Sequence, residues 1–193
     1  MDTGRYVRLS FRIGRCCVVL RFPFFALLAV SAMFGEWSFW ALVAALLHEM
    51  GHLAAVLILG GSPERIETGA AGLCITIPER YRTAPIFAAG PVANILTAVV
   101  FAPLSPRFAA INIIMGLMNL FPTPPLDGGK LMQLILQKTA NQKTADRIEA
   151  AVSFSALAVL LTAGIYILLR SKGNFSLLVV GLWLFYKLMR NYI

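Results

Sequence analysis

Residues 48 to 52 read His48-Glu49-Met50-Gly51-His52. Two histidines four positions apart stand one above the other on a single face of an α-helix, so both imidazoles can reach one metal ion. Imidazole nitrogen suits zinc, and the Glu49 carboxylate beside the first histidine is the kind of group that takes a proton from an attacking water. The chain contains only these two histidines. Catalytic zinc takes three protein ligands and keeps a fourth position open, so a third ligand must come from elsewhere. Asp127 is the candidate, and Gly128 and Gly129 after it would let backbone approach closely. An isolated Asp-Gly-Gly is more often a turn. The histidine pair is what makes it a ligand candidate.

The helix that carries the pair must be unusual. From Trp37 to Gly60 the chain is apolar apart from this cluster. A charged side chain at the centre of a bilayer costs about 2.5 to 3.5 kcal/mol on insertion scales, so such a group is retained for function by default. With 193 residues, 59% of them hydrophobic and 13% charged, the chain is too apolar for one soluble core. Its mean hydropathy of +0.76 points to a lipid bilayer. Six stretches qualify as spans or part-spans: 22 to 34, 37 to 60, 84 to 104, 108 to 121, 150 to 169 and 175 to 189. They occupy nearly all of 1 to 193. The expectation is therefore a single all-α membrane domain of about six helices with a small membrane-surface β-sheet or hairpin.

A net charge of +8 could suggest nucleic acid, but its distribution argues for orientation instead. With the six spans drawn, 14 Lys and Arg fall on one side, and Arg107, Arg170 and Lys172 fall on the other. The positive-inside rule then places both termini in the cytoplasm and leaves nucleic acid without a role. A basic start followed by Phe22 to Phe34, with Val30-Ser31-Ala32 resembling a cleavage site, also fits a signal peptide. Losing that span would break the alternation of charge. Cys16, Cys17 and Cys74 suggest neither a disulfide framework nor a thiolate metal site.

Outside the spans, Val7, Leu9, Phe11 and Ile13 alternate with polar residues and read as a strand. A hairpin pattern covers Ile66 to Ile77 around Gly69-Ala70-Ala71-Gly72. In the third span, Gly90-Pro91 implies a kink or a close helix approach. Pro122, Pro124 and Pro125 end any helix before Asp127, leaving irregular backbone that must re-enter the membrane packed against protein. Residues 130 to 149 mix Leu131, Leu134 and Ile135 with Lys130, Lys138, Lys143 and Arg147, which suggests interfacial helices on the cytoplasmic face.

Together, the His48-to-His52 motif and the segment Asn119, Pro122, Pro124 or Pro125, Leu126, Asp127 and Gly128 resemble the site-2 protease family of intramembrane metalloproteases. Ala89-Gly90-Pro91 with Asn94 resembles that family's Gly-Pro and Asn segment in the intervening span. The compact layout is most similar to the branch that includes a sporulation protease which processes a sigma-factor precursor. The resemblance implies Zn2+ held by His48, His52 and Asp127, with Glu49 as general base. Asn94 and Asn119 would support the ligands or contact a substrate carbonyl. It also implies a bacterial cell membrane, a transmembrane or membrane-associated protein as substrate, and a membrane regulator. No PDZ-like insert or nucleotide-sensing domain is recognisable in the sequence.

Two other readings compete. Intramembrane His and Asp also line the paths of metal transporters, but the third, fifth and sixth span cores lack acids and histidines. A catalytically silent membrane interaction protein would not need Glu49 together with a complete ligand set.

Overall fold

The computed structural model describes residues 8–13, 16–21, 35–69, 72–76, 83–171 and 173–192. Two compact units divide the chain, Met1–Leu117 and Met118–Ile193.

The first unit contains a four-stranded sheet of β1 (Arg8–Ile13), β2 (Cys16–Arg21), β3 (Arg65–Gly69) and β4 (Gly72–Thr76), in that spatial order. Strands separated by two residues pair antiparallel: Leu9 faces Leu20 across β1 and β2, and Ile66 faces Ile75 across β3 and β4. The parallel pair, with Val18 opposite Ile66, joins strands far apart in sequence. The expected N-terminal strand is β1, and the expected hairpin is β3 with β4. Strand β2 was not expected, because Cys17-Val18-Val19-Leu20 is a continuous apolar run that periodicity cannot distinguish from the start of a span.

Three helices complete this unit. Helix α1 spans Glu36–Ile58. It stops at Gly60, whose φ of 72° lies in the left-handed region that favours glycine. There the amide of Gly60 donates to Leu57 O at 3.0 Å and that of Gly61 to Val56 O at 2.8 Å, which satisfies two of the last carbonyls of the helix. Helix α2 spans Ala84–Phe101, with Pro91 inside it. Helix α3 spans Pro106–Asn119. Helices α1 and α2 pack closely because small residues meet: a Cβ at Gly51 would lie 2.7 Å from Ala89 O and 2.7 Å from Ala93 Cβ.

The second unit holds α4 (Asp127–Thr139), α5 (Gln142–Ser171) and α6 (Ser176–Tyr192). Its core is formed by Leu157 and Leu160 on α5 and by Leu184 and Leu188 on α6, flanked by Phe121, Leu126 and Leu177. One expectation needs correction here. Residues 142 to 149 are not a separate interfacial helix but the first two turns of the 30-residue α5, which Asn141 Oδ1 starts by accepting from the Thr144 amide at 2.9 Å. Their polarity changes the composition of the helix without ending it. Gln133 on α4 donates to Glu149 on α5 at 2.7 Å, so the polar faces of the two helices meet.

Three described helices, α1, α2 and α5, are long and apolar enough to cross a membrane. They correspond to the stretches expected at 37 to 60, 84 to 104 and 150 to 169. The stretch at 108 to 121 became the 14-residue α3, and that at 175 to 189 the 17-residue α6. The first, 22 to 34, lies outside the described residues.

Candidate metal centre

His48 and His52 sit one turn apart on the buried face of α1, 5% and 8% exposed. Their Nε2 atoms are 3.2 Å apart. Each Nδ1 has a separate partner on α2: His48 Nδ1 lies 2.7 Å from Asn94 Oδ1, and His52 Nδ1 lies 2.7 Å from Ile86 O. A main-chain carbonyl only accepts, so His52 must carry its proton on Nδ1. The Asn94 amide nitrogen donates to Ala44 O at 3.0 Å and to Asn112 Oδ1 at 2.8 Å, which leaves Asn94 Oδ1 to accept from His48 Nδ1.

With Nδ1 protonated, the neutral form of each ring offers Nε2 as its ligand atom, and the two Nε2 atoms lie side by side. So short a contact calls for a positive charge shared by the two nitrogens, a proton or a metal ion. Two nitrogens each about 2.0 to 2.1 Å from a tetrahedral zinc would be about 3.3 to 3.4 Å apart, close to the separation found. Space for the pair comes from α2. A Cβ at Gly90 would collide with Nε2 of His52 and come within 2.7 Å of Nε2 of His48. The residues of the first unit thus fit a zinc ion on donor chemistry and on shape.

Gly90 and Pro91 belong to the segment read in the sequence as a kink or a packing site. The close approach is real, and the histidines themselves occupy it. Glu49 follows His48 on α1 and is half-buried. Asn119 is the last residue of α3 and is also half-buried.

In the second unit, Asp127 is the first residue of α4 and is 4% exposed. Lys130, one turn along, donates to its Oδ1 at 2.8 Å. The non-helical stretch before it, expected from the prolines, is folded tightly against the start of the helix. A Cβ at Gly128 would strike the carbonyl of Leu120, and one at Gly129 would strike Pro124 N and lie 2.5 Å from Thr123 C. Asp-Gly-Gly is therefore not a turn but the start of α4, and its two glycines let the preceding stretch pack against it. Ser153 on α5 donates to Pro122 O at 3.2 Å and ties the turn to the second unit's core helix.

Sequence reasoning missed two groups: the carbonyl of Ile86, which has no side-chain signature, and Asn112. The second did leave a signal, a lone amide between Ala110-Ile111 and Ile113-Ile114.

Comparison with known proteins finds three likenesses. Residues 103–163 match peptidase family M50. A zinc metalloprotease of Methanocaldococcus jannaschii is 25% identical over 77% of this chain, and the chain spans 48% of that relative's length. The solved structure of a site-2 protease from Methanocaldococcus jannaschii superposes with a TM-score of 0.63 at 22% identity, covering 96% of this chain and 94% of that one. The chain thus shares the fold of that site-2 protease along nearly its whole length, and its residues 103–163 are similar in sequence to peptidase family M50.

Proposed function

We propose that the protein is an intramembrane zinc metalloendopeptidase, with zinc held by His48, His52 and Asp127. The observation that carries this reading is the pair of Nε2 atoms 3.2 Å apart, each ring fixed from behind through Nδ1. Asp127 as third ligand rests on the motif it belongs to and on the chemistry of a buried carboxylate, which already draws one cation, the Lys130 ammonium, to its Oδ1.

Bound zinc supplies Lewis-acid chemistry: it makes water nucleophilic near neutral pH and polarises a peptide carbonyl. The protein's own groups do the rest. The Glu49 carboxylate takes the proton of the attacking water and returns it to the leaving amine. Asn119 is a candidate donor to the substrate carbonyl. Asn94 and Ile86 O keep the two imidazoles oriented. A helical substrate hides its carbonyls in hydrogen bonds and must unwind before cleavage. A sheet edge, β1 or β4, can accept an extended segment by strand addition.

The substrate class is a transmembrane or membrane-associated protein, consistent with regulated intramembrane proteolysis of a transcription-factor precursor or an anti-sigma factor. Six spans with both termini in the cytoplasm of a bacterial cell, and the sheet at the membrane surface, complete the proposal. Their support is the 14-to-3 split of Lys and Arg and the three long apolar helices. The deciding experiment incubates detergent-purified protein with a membrane-protein substrate, with zinc and after metal depletion by a chelator. Cleavage that depends on zinc is expected, and equal cleavage in both arms would overturn the assignment.

A further inference from the structure

Asn94 reaches His48 through its side-chain oxygen, and which end of that amide faces the ring decides which imidazole nitrogen is available. We propose that Asn112 on α3 is a positioning residue of the metal centre: acting through Asn94, it fixes the Nδ1–H tautomer of His48 and so keeps Nε2 open to the cation. The inference rests on the zinc reading above.

The bonds run in one direction because main-chain carbonyls stand at two ends. Phe108 O can only accept, so the contact of 3.0 Å from Asn112 identifies the atom there as the amide nitrogen. That turns Asn112 Oδ1 toward Asn94, whose amide nitrogen donates to it at 2.8 Å. The second amide hydrogen of Asn94 goes to Ala44 O at 3.0 Å. With both hydrogens committed, Asn94 presents oxygen to His48 Nδ1, and the ring proton must sit there.

Flipping Asn94 would set its oxygen against two other acceptors, Ala44 O and Asn112 Oδ1. It would also turn an amide N–H toward His48 Nδ1, which would move the ring proton to Nε2 and close the ligand atom. Without Asn112, only Ala44 O would oppose the flip. Both asparagines are 0% exposed, where an amide bonded the wrong way is costly. The relay crosses three helices: residues 108 and 112 on α3, 94 on α2, and 44 and 48 on α1. His52 is fixed independently by Ile86 O, which makes it a control within the same molecule.

Because the chain has two histidines, 15N-histidine labelling gives only four ring-nitrogen signals, and long-range proton-nitrogen correlation identifies each tautomer. The measurement is made on detergent-purified, zinc-depleted protein, and zinc affinity is measured by competition with a chelator. Wild type should show both rings as Nδ1–H. Asn112→Leu keeps the approximate shape but no polar atom, and should give mixed tautomers at His48 alone. Its zinc affinity should fall about tenfold, the lower end of the range for outer-shell partners. Asn112→Thr, whose hydroxyl can donate four residues back and still accept from Asn94, should restore part of both.

A wild-type His48 in the Nε2–H form would overturn the inference without any variant. So would Asn112→Leu with an unchanged His48 pattern and unchanged affinity. If Asn112→Leu misfolds, shown by His52 shifting as well, the wild-type tautomer and Asn112→Thr decide. Protein that shows the expected His48 pattern but takes up no zinc would sink the zinc reading and leave this assignment standing.

Discussion

Gly90 lies where a single added methyl group would fall onto the Nε2 atoms of His52 and His48. One residue of α2 therefore sets the room available at the face of α1 that carries the two histidines. Alanine favours a helix over glycine by about 0.8 to 1 kcal/mol, so propensity alone would make Gly90→Ala neutral or stabilising. The collision should win locally. Gly90→Ala is expected to lower zinc occupancy at least tenfold and to remove activity. Gly181→Ala, where the Cβ meets the mobile end of Leu161 at 2.7 Å, should leave zinc unchanged. Zinc content of the two purified variants checks this, and full occupancy in Gly90→Ala would contradict it.

Glu49→Gln separates catalysis from binding. The amide is nearly isosteric and cannot accept the proton, so cleavage should fall by at least about 100-fold, the lower bound for general-base catalysis. Zinc content should be unchanged, because the proposed ligand set of His48, His52 and Asp127 leaves Glu49 out. Removing a charge from a helix apolar enough to span a bilayer should hold stability constant or raise it. Comparable cleavage rates at matched zinc content would remove Glu49 from the mechanism.

Asp127→Ala tests the third ligand. The loss should weaken zinc binding and abolish cleavage while the α5 and α6 core of Leu157, Leu160, Leu184 and Leu188 stays intact. It also leaves the Lys130 ammonium without its carboxylate, so Lys130→Met in the wild-type background is the control for a lost ion pair alone. The carboxylate it leaves behind is buried, so this control is expected to lose some stability while keeping its zinc, which separates the ion pair from the ligand role. Full zinc occupancy in Asp127→Ala would refute the ligand assignment.

Reporter fusions check orientation. A reporter at Asn141, between α4 and α5, and one at the C-terminus should read cytoplasmic, and one inserted near Ser105, between α2 and α3, should read external. An external C-terminus would be incompatible with six spans.

The sequence by itself determined whatever depends on local periodicity and backbone chemistry. Four-residue spacing put His48 and His52 on one face, three prolines ended the helix before Asp127, and alternation marked β1 and the β3–β4 hairpin. Each follows from a repeat of 3.6 or 2 residues or from a missing N–H, properties the chain carries without a partner. Where local signals were ambiguous, reading failed: β2, an apolar run without alternation, went unassigned, and the start of α5 looked like part of a separate surface helix. Only the tertiary structure decided what stands behind the histidines. Asn94 is 46 residues from His48 and Asn112 a further 18 from Asn94, and whether they meet depends on how three helices are rotated and how closely they approach. Gly51 and Gly90 allow that approach, but no periodicity in the sequence says which face of α2 will meet α1. The pattern announces two ligands, and the packing chooses the nitrogen each one offers.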